Sequence, residues 1–167
     1  MRREEKAMDH PDANPREGKY LTFSLGGEEY GISIIKIREI IGMMRVTPVP
    51  QCPDFVKGVI NLRGKVIPVI DLRLRFGMEA IGYSERTCII VVEIRGEAGT
   101  VHTGLVVDSV SEVLNIKAQE IEDTPSIATD LDSNYILGMA KSGTGVKILL
   151  DIDKVMNTEQ YIIRIAA

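Results

Sequence analysis

The chain contains one pattern twice. Gly31-Ile-Ser-Ile-Ile-Lys-Ile-Arg-Glu-Ile-Ile aligns with Gly104-Leu-Val-Val-Asp-Ser-Val-Ser-Glu-Val-Leu at an offset of 73, with Gly, Glu and the aliphatic positions coinciding. Gly58 and Val66-Ile-Pro-Val-Ile-Asp-Leu return as Gly138 and Val146-Lys-Ile-Leu-Leu-Asp-Ile at an offset of 80. The order is the same in both halves, with a longer loop in the second. Two units do not make a solenoid. They imply two like modules packed together, each of about five short strands. Each is the size of an SH3-like barrel and well below the ~100 residues of an immunoglobulin sandwich.

The modules are predicted to be β. Most apolar residues fall in short Val/Ile-rich runs: Tyr20–Leu25, Glu29–Ile34, Val66–Ile70, Cys88–Ile94, Val101–Val107 and Val146–Ile152. Each has strand length and is bounded by Gly, Pro or charge. No long helical crossovers separate them, which disfavours a parallel α/β sheet. Three places read as helical. Ile34, Ile37 and Ile41 have helical spacing behind a possible Ser33 cap. Asp71 and Asp151 each end a strand and could cap a short helical turn. Residues 158–167 read as a C-terminal helix or tail. Residues 1–18, with nine charged residues among eighteen, read as a disordered leader and not a secretory signal.

Chemistry is sparse. His10 and His102 have no Cys or carboxylate at ligand spacing, so no metal site is expected. Asp71 and Asp151 are the same position of two repeats, and read as turn or cap residues rather than a catalytic pair. Gly143-Thr-Gly145 and Arg63-Gly-Lys65 are too short for a phosphate loop. No serine sits in a nucleophile elbow, so an enzyme is not expected and no cofactor is implied. Aromatics are only 5% and Trp is absent, which disfavours the stacking platforms of nucleic-acid binders. Cys52 and Cys88 are too few for a disulfide framework. No apolar run approaches the ~18 residues of a membrane span, so direct membrane insertion is not expected and the default compartment is the cytoplasm.

What remains is a binding module. Net charge is −4, unevenly spread: nine basic against five acidic residues over 19–77, and seven against fourteen over 78–167. A basic module meeting the acidic module of a homologous molecule is therefore expected. Asn61 and Arg63 interrupt the apolar hairpin Lys57–Lys65, and Ile37-Arg-Glu-Ile40 places charge beside an aliphatic face. From pattern alone these remain open between surface decoration and a contact site. An unrelated double-barrel protein- or nucleic-acid-binding module is the alternative reading.

At these residues the sequence resembles a known family. Phe23-Ser-Leu-Gly-Gly-Glu-Glu-Tyr-Gly-Ile-Ser-Ile-Ile-Lys-Ile-Arg-Glu-Ile, Phe55-Val-Lys-Gly-Val-Ile-Asn-Leu-Arg-Gly-Lys-Val-Ile-Pro-Val-Ile-Asp-Leu-Arg and the Gly104–Leu114 run resemble the CheW family of chemotaxis coupling proteins, over about Lys19 to Asn157. The resemblance implies a mainly β fold of two SH3-like five-stranded β-barrels packed together, with a few short helices. The first barrel is expected over 19–82 and the second over 83–157, with possible strand exchange between them. It implies a non-catalytic adaptor, free of cofactors, that joins the cytoplasmic tip of a methyl-accepting chemoreceptor to the regulatory domain of a CheA-like histidine kinase. Such a protein is cytoplasmic and recruited to receptor arrays at the inner face of the membrane. Ile37, Glu39, Gly58 and Arg63 match the family's contact positions, Asn61 lies in the same hairpin, and Val110 and Val113 match in the second module. Without a receiver or kinase domain alongside, a standalone adaptor is expected.

Overall fold

The computed structural model describes residues 15–96, 99–124, 133–143 and 145–156. Eleven strands occur among them: β1 (Gly18–Leu25), β2 (Glu28–Ser33), β3 (Ile37–Gly42), β4 (Val56–Leu62), β5 (Lys65–Asp71), β6 (Cys88–Gly96), β7 (Gly99–Val107), β8 (Ser109–Ile116), β9 (Ile121–Glu122), β10 (Ile136–Ser142) and β11 (Gly145–Leu150). Two single-turn helices, α1 (Leu72–Arg75) and α2 (Ile152–Val155), follow β5 and β11. The fold is mainly β, as expected.

The strands form two sheets, ordered β8-β1-β2-β11-β10-β9 and β3-β6-β7-β5-β4. Neither sheet is confined to residues 19–82 or to 83–157. The hairpin β1–β2 lies on strands of the second half, with β2 parallel to β11 and Gly31 opposite Leu149. The hairpin β6–β7 lies on strands of the first half, with β7 parallel to β5 and Gly104 opposite Val69. The five-stranded sheet is therefore one continuous segment, 37–107. The six-stranded sheet is assembled from the chain on either side of it. After β3 the chain returns to β4, where Thr47 and Val59 exchange backbone hydrogen bonds of 2.8 and 2.9 Å. In the other sheet β9 pairs with β10 in the matching place.

The structure reproduces the repeat at its turns. Asp71 N–H donates to Phe55 O at 2.8 Å, and at the equivalent place of the second half Asp151 N–H donates to Tyr135 O at 2.8 Å. Both aspartates cap, as their strand-end positions imply. The Asp71 carboxylate accepts from the N–H groups of Arg73 and Leu74, and that of Asp151 accepts from Lys154 N–H. Asp71 also accepts a hydrogen bond from the Tyr83 hydroxyl at 3.1 Å. Burial first, and then the Asp71 carboxylate, push the Tyr83 phenol up to about 12.

One helix expectation fails. Residues 34–41 form only a single 3₁₀ turn, Ile34–Lys36, without a Ser33 side-chain cap, and then β3. The run is dominated by β-branched Ile, and the pleated edge of a sheet accommodates it better than a helix does. Residues 15–18, read as part of the leader from the sequence, belong to the described fold. The Tyr20 hydroxyl donates to Arg16 O at 2.6 Å, Glu17 accepts from Ala118 N–H, and Gly18 already belongs to β1. Residues 1–14, His10 among them, and the tail at 157–167 lie outside the described residues.

Apolar side chains collect in three clusters. Leu21, Phe23, Ile32, Ile90, Val92 and Leu105 belong to a core shared by the two sheets. Ile60, Ile67, Val69, Ile89 and Val91 form a second cluster on the five-stranded sheet, and Tyr20, Ile116, Ile121 and Leu149 a third on the other. Alternate residues of β6 thus enter different cores, which explains why that strand reads as an unbroken apolar run. Cys52 and Cys88 are free and half-buried against the shared core, and burial pushes the Cys88 thiol up.

Charged pairs tie the sheets together where the chain crosses between them. Arg73 of α1 grips Asp108, between β7 and β8, through Nε at 2.9 Å and Nη2 at 3.0 Å, and Gly26 N–H donates to the same carboxylate at 2.9 Å. Burial works against ionisation of Asp108. The hydrogen bonds from Arg73 and Gly26 N–H, with the Arg73 charge, outweigh it and hold the carboxyl below its usual range. A depressed folded-state pKa stabilises the fold above the unfolded value of ~3.9, and that contribution disappears as pH falls through the folded value. Asp108→Asn is expected to be less stable than the parent at neutral pH. The gap should close under acid, as denaturant titrations at pH 7 and at pH 3 or below would measure.

Candidate docking site

Glu39 and Arg63 meet although they stand 24 positions apart in the chain. Glu39 sits on β3, one edge of the five-stranded sheet, just after a bulge at Ile37/Glu39. Arg63 sits in the β4–β5 turn, at the other edge. Arg63 and Gly64 both have positive φ, 52° and 89°, as a two-residue hairpin with the twist of its strands requires. Asn61 Oδ1 accepts from Gly64 N–H at 2.8 Å and holds that turn. From this turn Nη2 donates to Glu39 Oε2, in an ion pair that joins the two edge strands of the sheet. Arg63 is 68% exposed and Glu39 31%, so the pair is worth only ~0–1 kcal/mol to stability.

A cleft lined by Arg38, Glu39, Arg63, Leu62, Ile67 and Val91 lies at this pair. Its rim is charged and its floor apolar. His102, on β7, also borders it, 4.0 Å from Glu93, which accepts from Arg38 at 3.3 Å. His102 is thus a half-exposed strand residue. No cluster of His, Cys, Asp or Glu able to hold a metal occurs among the described residues.

The remaining expected residues divide by position. Ile37 is half-buried and packs on the shared core. Val110, on β8 of the other sheet, does the same. Val113 lies on β8 and is 50% exposed. Asn61 and Arg63 are exposed at the hairpin end. Gly58 is buried: a Cβ there would stand 2.0 Å from Thr47 O and 2.9 Å from Pro48 Cα. It lets two stretches of backbone touch and offers no contact surface of its own.

Some exposed apolar residues went unnoticed in the sequence. Ile40 is 44% exposed and is the repeat counterpart of Val113. Val66 and Val146, another repeat pair, are 61% and 48% exposed. An apolar letter present in both copies reads as core, so only the structure reveals that neither copy buries it. The modules differ in charge at the same place. Glu112 repeats Glu39, yet the counterpart of Arg63 is Gly143, so the Glu39–Arg63 pair has no equivalent. Instead the Thr22 hydroxyl is hydrogen-bonded to both the N–H and the C=O of Glu112, at 3.1 and 2.8 Å.

Known proteins share this architecture. Residues 19–160 match the CheW-like domain family model. The chain is 42% identical over 142 residues to the chemotaxis protein CheW of Klebsiella aerogenes, covering 85% of this chain and 83% of that one. It is 35% identical over 140 residues to the chemotaxis protein CheW of Rhizobium meliloti, covering 84% and 88%. The crystal structure of the scaffolding protein TtCheW from Thermoanaerobacter tengcongensis superposes with a TM-score of 0.75 at 39% identity, over 83% of this chain and 92% of that one. With a duplicated β architecture, an exposed ion pair at one sheet and relatives matched along most of their length, the chain belongs to the CheW-like family of chemotaxis scaffolding proteins.

Proposed function

We propose that the protein is a non-catalytic adaptor, which holds the cytoplasmic tip of a methyl-accepting chemoreceptor and the regulatory domain of a CheA-like histidine kinase in one signalling complex. The observation that supports this most is the Glu39–Arg63 pair beside an apolar-floored cleft, on a sheet that also exposes Ile40 and Val66. A receptor tip built as a helical coiled coil offers an aliphatic helix face, and an apolar groove suits such a face. Val113 supplies apolar contact on the other sheet, Ile37 and Val110 back these surfaces from the shared core, and Glu39 and Arg63 fix orientation and partner choice more than strength. Asn61 shapes the turn that presents Arg63. The protein would work at receptor arrays on the inner face of the membrane. No helix among its described residues is long and apolar enough to cross a membrane, so its place there would come from its partners.

Arg63→Glu tests the reading. It puts two carboxylates together on an exposed edge, so the fold is expected to survive with a loss of about 1 kcal/mol or less. Binding to a purified receptor cytoplasmic fragment or to the kinase regulatory domain is expected to weaken about tenfold or more, as for a lost orienting charge with local repulsion. Isothermal titration of each partner measures it. Parental affinity for both would make Arg63 surface decoration and remove the pair from the docking site.

A further inference from the structure

The ladder between β5 and β7 stops short of both strands' beginnings. They are paired only from Val69–Gly104 to Asp71–Val106, although β5 starts at Lys65 and β7 at Gly99. In the second half the matching ladder, between β11 and β2, starts one residue earlier, at Ile148–Tyr30. The repeat counterpart of Ile148 is Pro68, which has no N–H to donate. Ahead of Pro68 the two strands leave a cavity of about 290 Å³, lined by Lys65, Val66, Ile67, Thr100, Val101 and His102. Among the described residues β7 is paired there with β6 alone, so the other edge of its backbone from Thr100 to His102 faces the opening.

The walls of this opening alternate in character. Lys65, Ile67 and His102 also border the charged cleft at Glu39 and Arg63. Val66, next to Ile67 on β5, points to the opposite face and is 61% exposed, and Val101 packs against the shared core. One face is therefore basic at its rim and the other apolar. Arg38 and Arg63 are paired with Glu93 and Glu39, while Lys65 has no carboxylate partner among the described residues. At the matching place the second half supplies its own carboxylate. Glu29, the repeat counterpart of His102, accepts from the Ser111 hydroxyl at 3.1 Å and lies 4.0 Å from Lys147, the counterpart of Ile67.

We propose that this opening receives an extended segment of a partner protein, with acidic and apolar residues in alternation, which adds as a strand to the uncovered edge of β7. Strand addition draws affinity from main-chain hydrogen bonds and specificity from alternate side chains. Successive residues of such a segment point to opposite faces. Its apolar residues lie against Val66 and Val101, and its carboxylates face Lys65 and His102, as Glu29 faces Lys147 in the second half. This mode of docking differs from the helix face assigned to the cleft and does not rest on that assignment.

The full-length protein is titrated with a blocked synthetic octapeptide of alternating Val and Glu, followed by calorimetry and by amide hydrogen exchange. Saturable binding is expected, with exchange of amides within Thr100–His102 slowed about tenfold or more at saturation. A peptide of alternating Val and Lys, and a Val–Glu peptide N-methylated throughout, are each expected to bind about tenfold more weakly or worse. Lys65→Glu changes an exposed residue at the hairpin end and is expected to weaken binding of the Val–Glu peptide about tenfold. The proposal is overturned if the Val–Glu peptide does not bind, if the Lys or methylated peptide binds equally, or if exchange within Thr100–His102 is unchanged on binding. Parental affinity in Lys65→Glu would overturn it equally. A receptor fragment that binds while the Val–Glu peptide does not would leave the helix-docking reading standing and remove this one.

Discussion

Gly58→Ala is expected to destabilise the protein by about 3 kcal/mol or more, a fifth to more than half of a typical domain stability of ~5–15 kcal/mol. Gly58 has φ of +141°, which L side chains rarely adopt. A methyl group there would lie 2.0 Å from the carbonyl oxygen of Thr47, against backbone that cannot swing aside. That oxygen already accepts a hydrogen bond from Val59 N–H at 2.9 Å, so the clash falls on the contact that brings the chain after β3 back to β4. Strain and a broken hydrogen-bond pair therefore add. Urea denaturation of parent and variant measures the loss, with Asn61→Ala as an exposed control in the same hairpin. A Gly58→Ala protein of parental stability would show that the Thr47–Pro48 segment yields easily. The result also bears on the docking site. Substitution of Gly58 would abolish partner binding through the fold, and a binding defect there would not make it a contact residue.

Arg75→Ala is expected to cost about 2–4 kcal/mol, the second large effect. Its guanidinium lies between two rings, 5.1 Å from the centroid of Phe55 and 5.0 Å from that of Tyr135. These rings occupy the same repeat position in the two halves. Arg75 also donates to Val155 O at 3.0 Å and to the Tyr135 hydroxyl at 2.6 Å. Cation–π contact out of full solvent is worth ~0.5–2 kcal/mol, and hydrogen bonds from a charged donor ~1.5–3 kcal/mol. Arg75→Lys should recover only a fraction of the loss, because an ammonium cannot lie flat between two rings and reach both acceptors. Denaturant midpoints of parent, Arg75→Ala and Arg75→Lys decide it. Near-equal midpoints for all three would mean that the Arg75 contacts add nothing to the joining of the two halves. The position is asymmetric: the repeat counterpart of Arg75 is Val155, which is buried in the shared core.

Much of the proposed docking site was legible because its residues break a pattern. Arg63 and Asn61 interrupt an apolar hairpin, and Glu39 interrupts an isoleucine run. A charged residue inside a strand pattern faces water or a partner, whichever strand it pairs with. Gly58 was legible as special, but the backbone that crosses it was not. A glycine demanded by a contact surface and one demanded by a crossing backbone look the same in one dimension. Ile40 and Val66 were hidden for the opposite reason, since an exposed isoleucine or valine in a strand has the letter of a core residue.

The amino-acid sequence alone determined the duplication, the strand-rich character, the two capping aspartates and the charges at the hairpin end. All of these are short-range properties, set by side-chain type, by period-two burial and by hydrogen bonds a few residues long. Only the tertiary structure decided that Ile34, Ile37 and Ile41 make a turn and an edge strand instead of a helix, and that each leading hairpin joins the other half. Both outcomes depend on which distant strand is available as a neighbour. The two leading hairpins share a β pattern and the Gly31/Gly104 position, so neither names its partner strand locally; the fold sets Gly31 opposite Leu149 and Lys36 against Asp153, contacts between the two halves that no short stretch of chain contains.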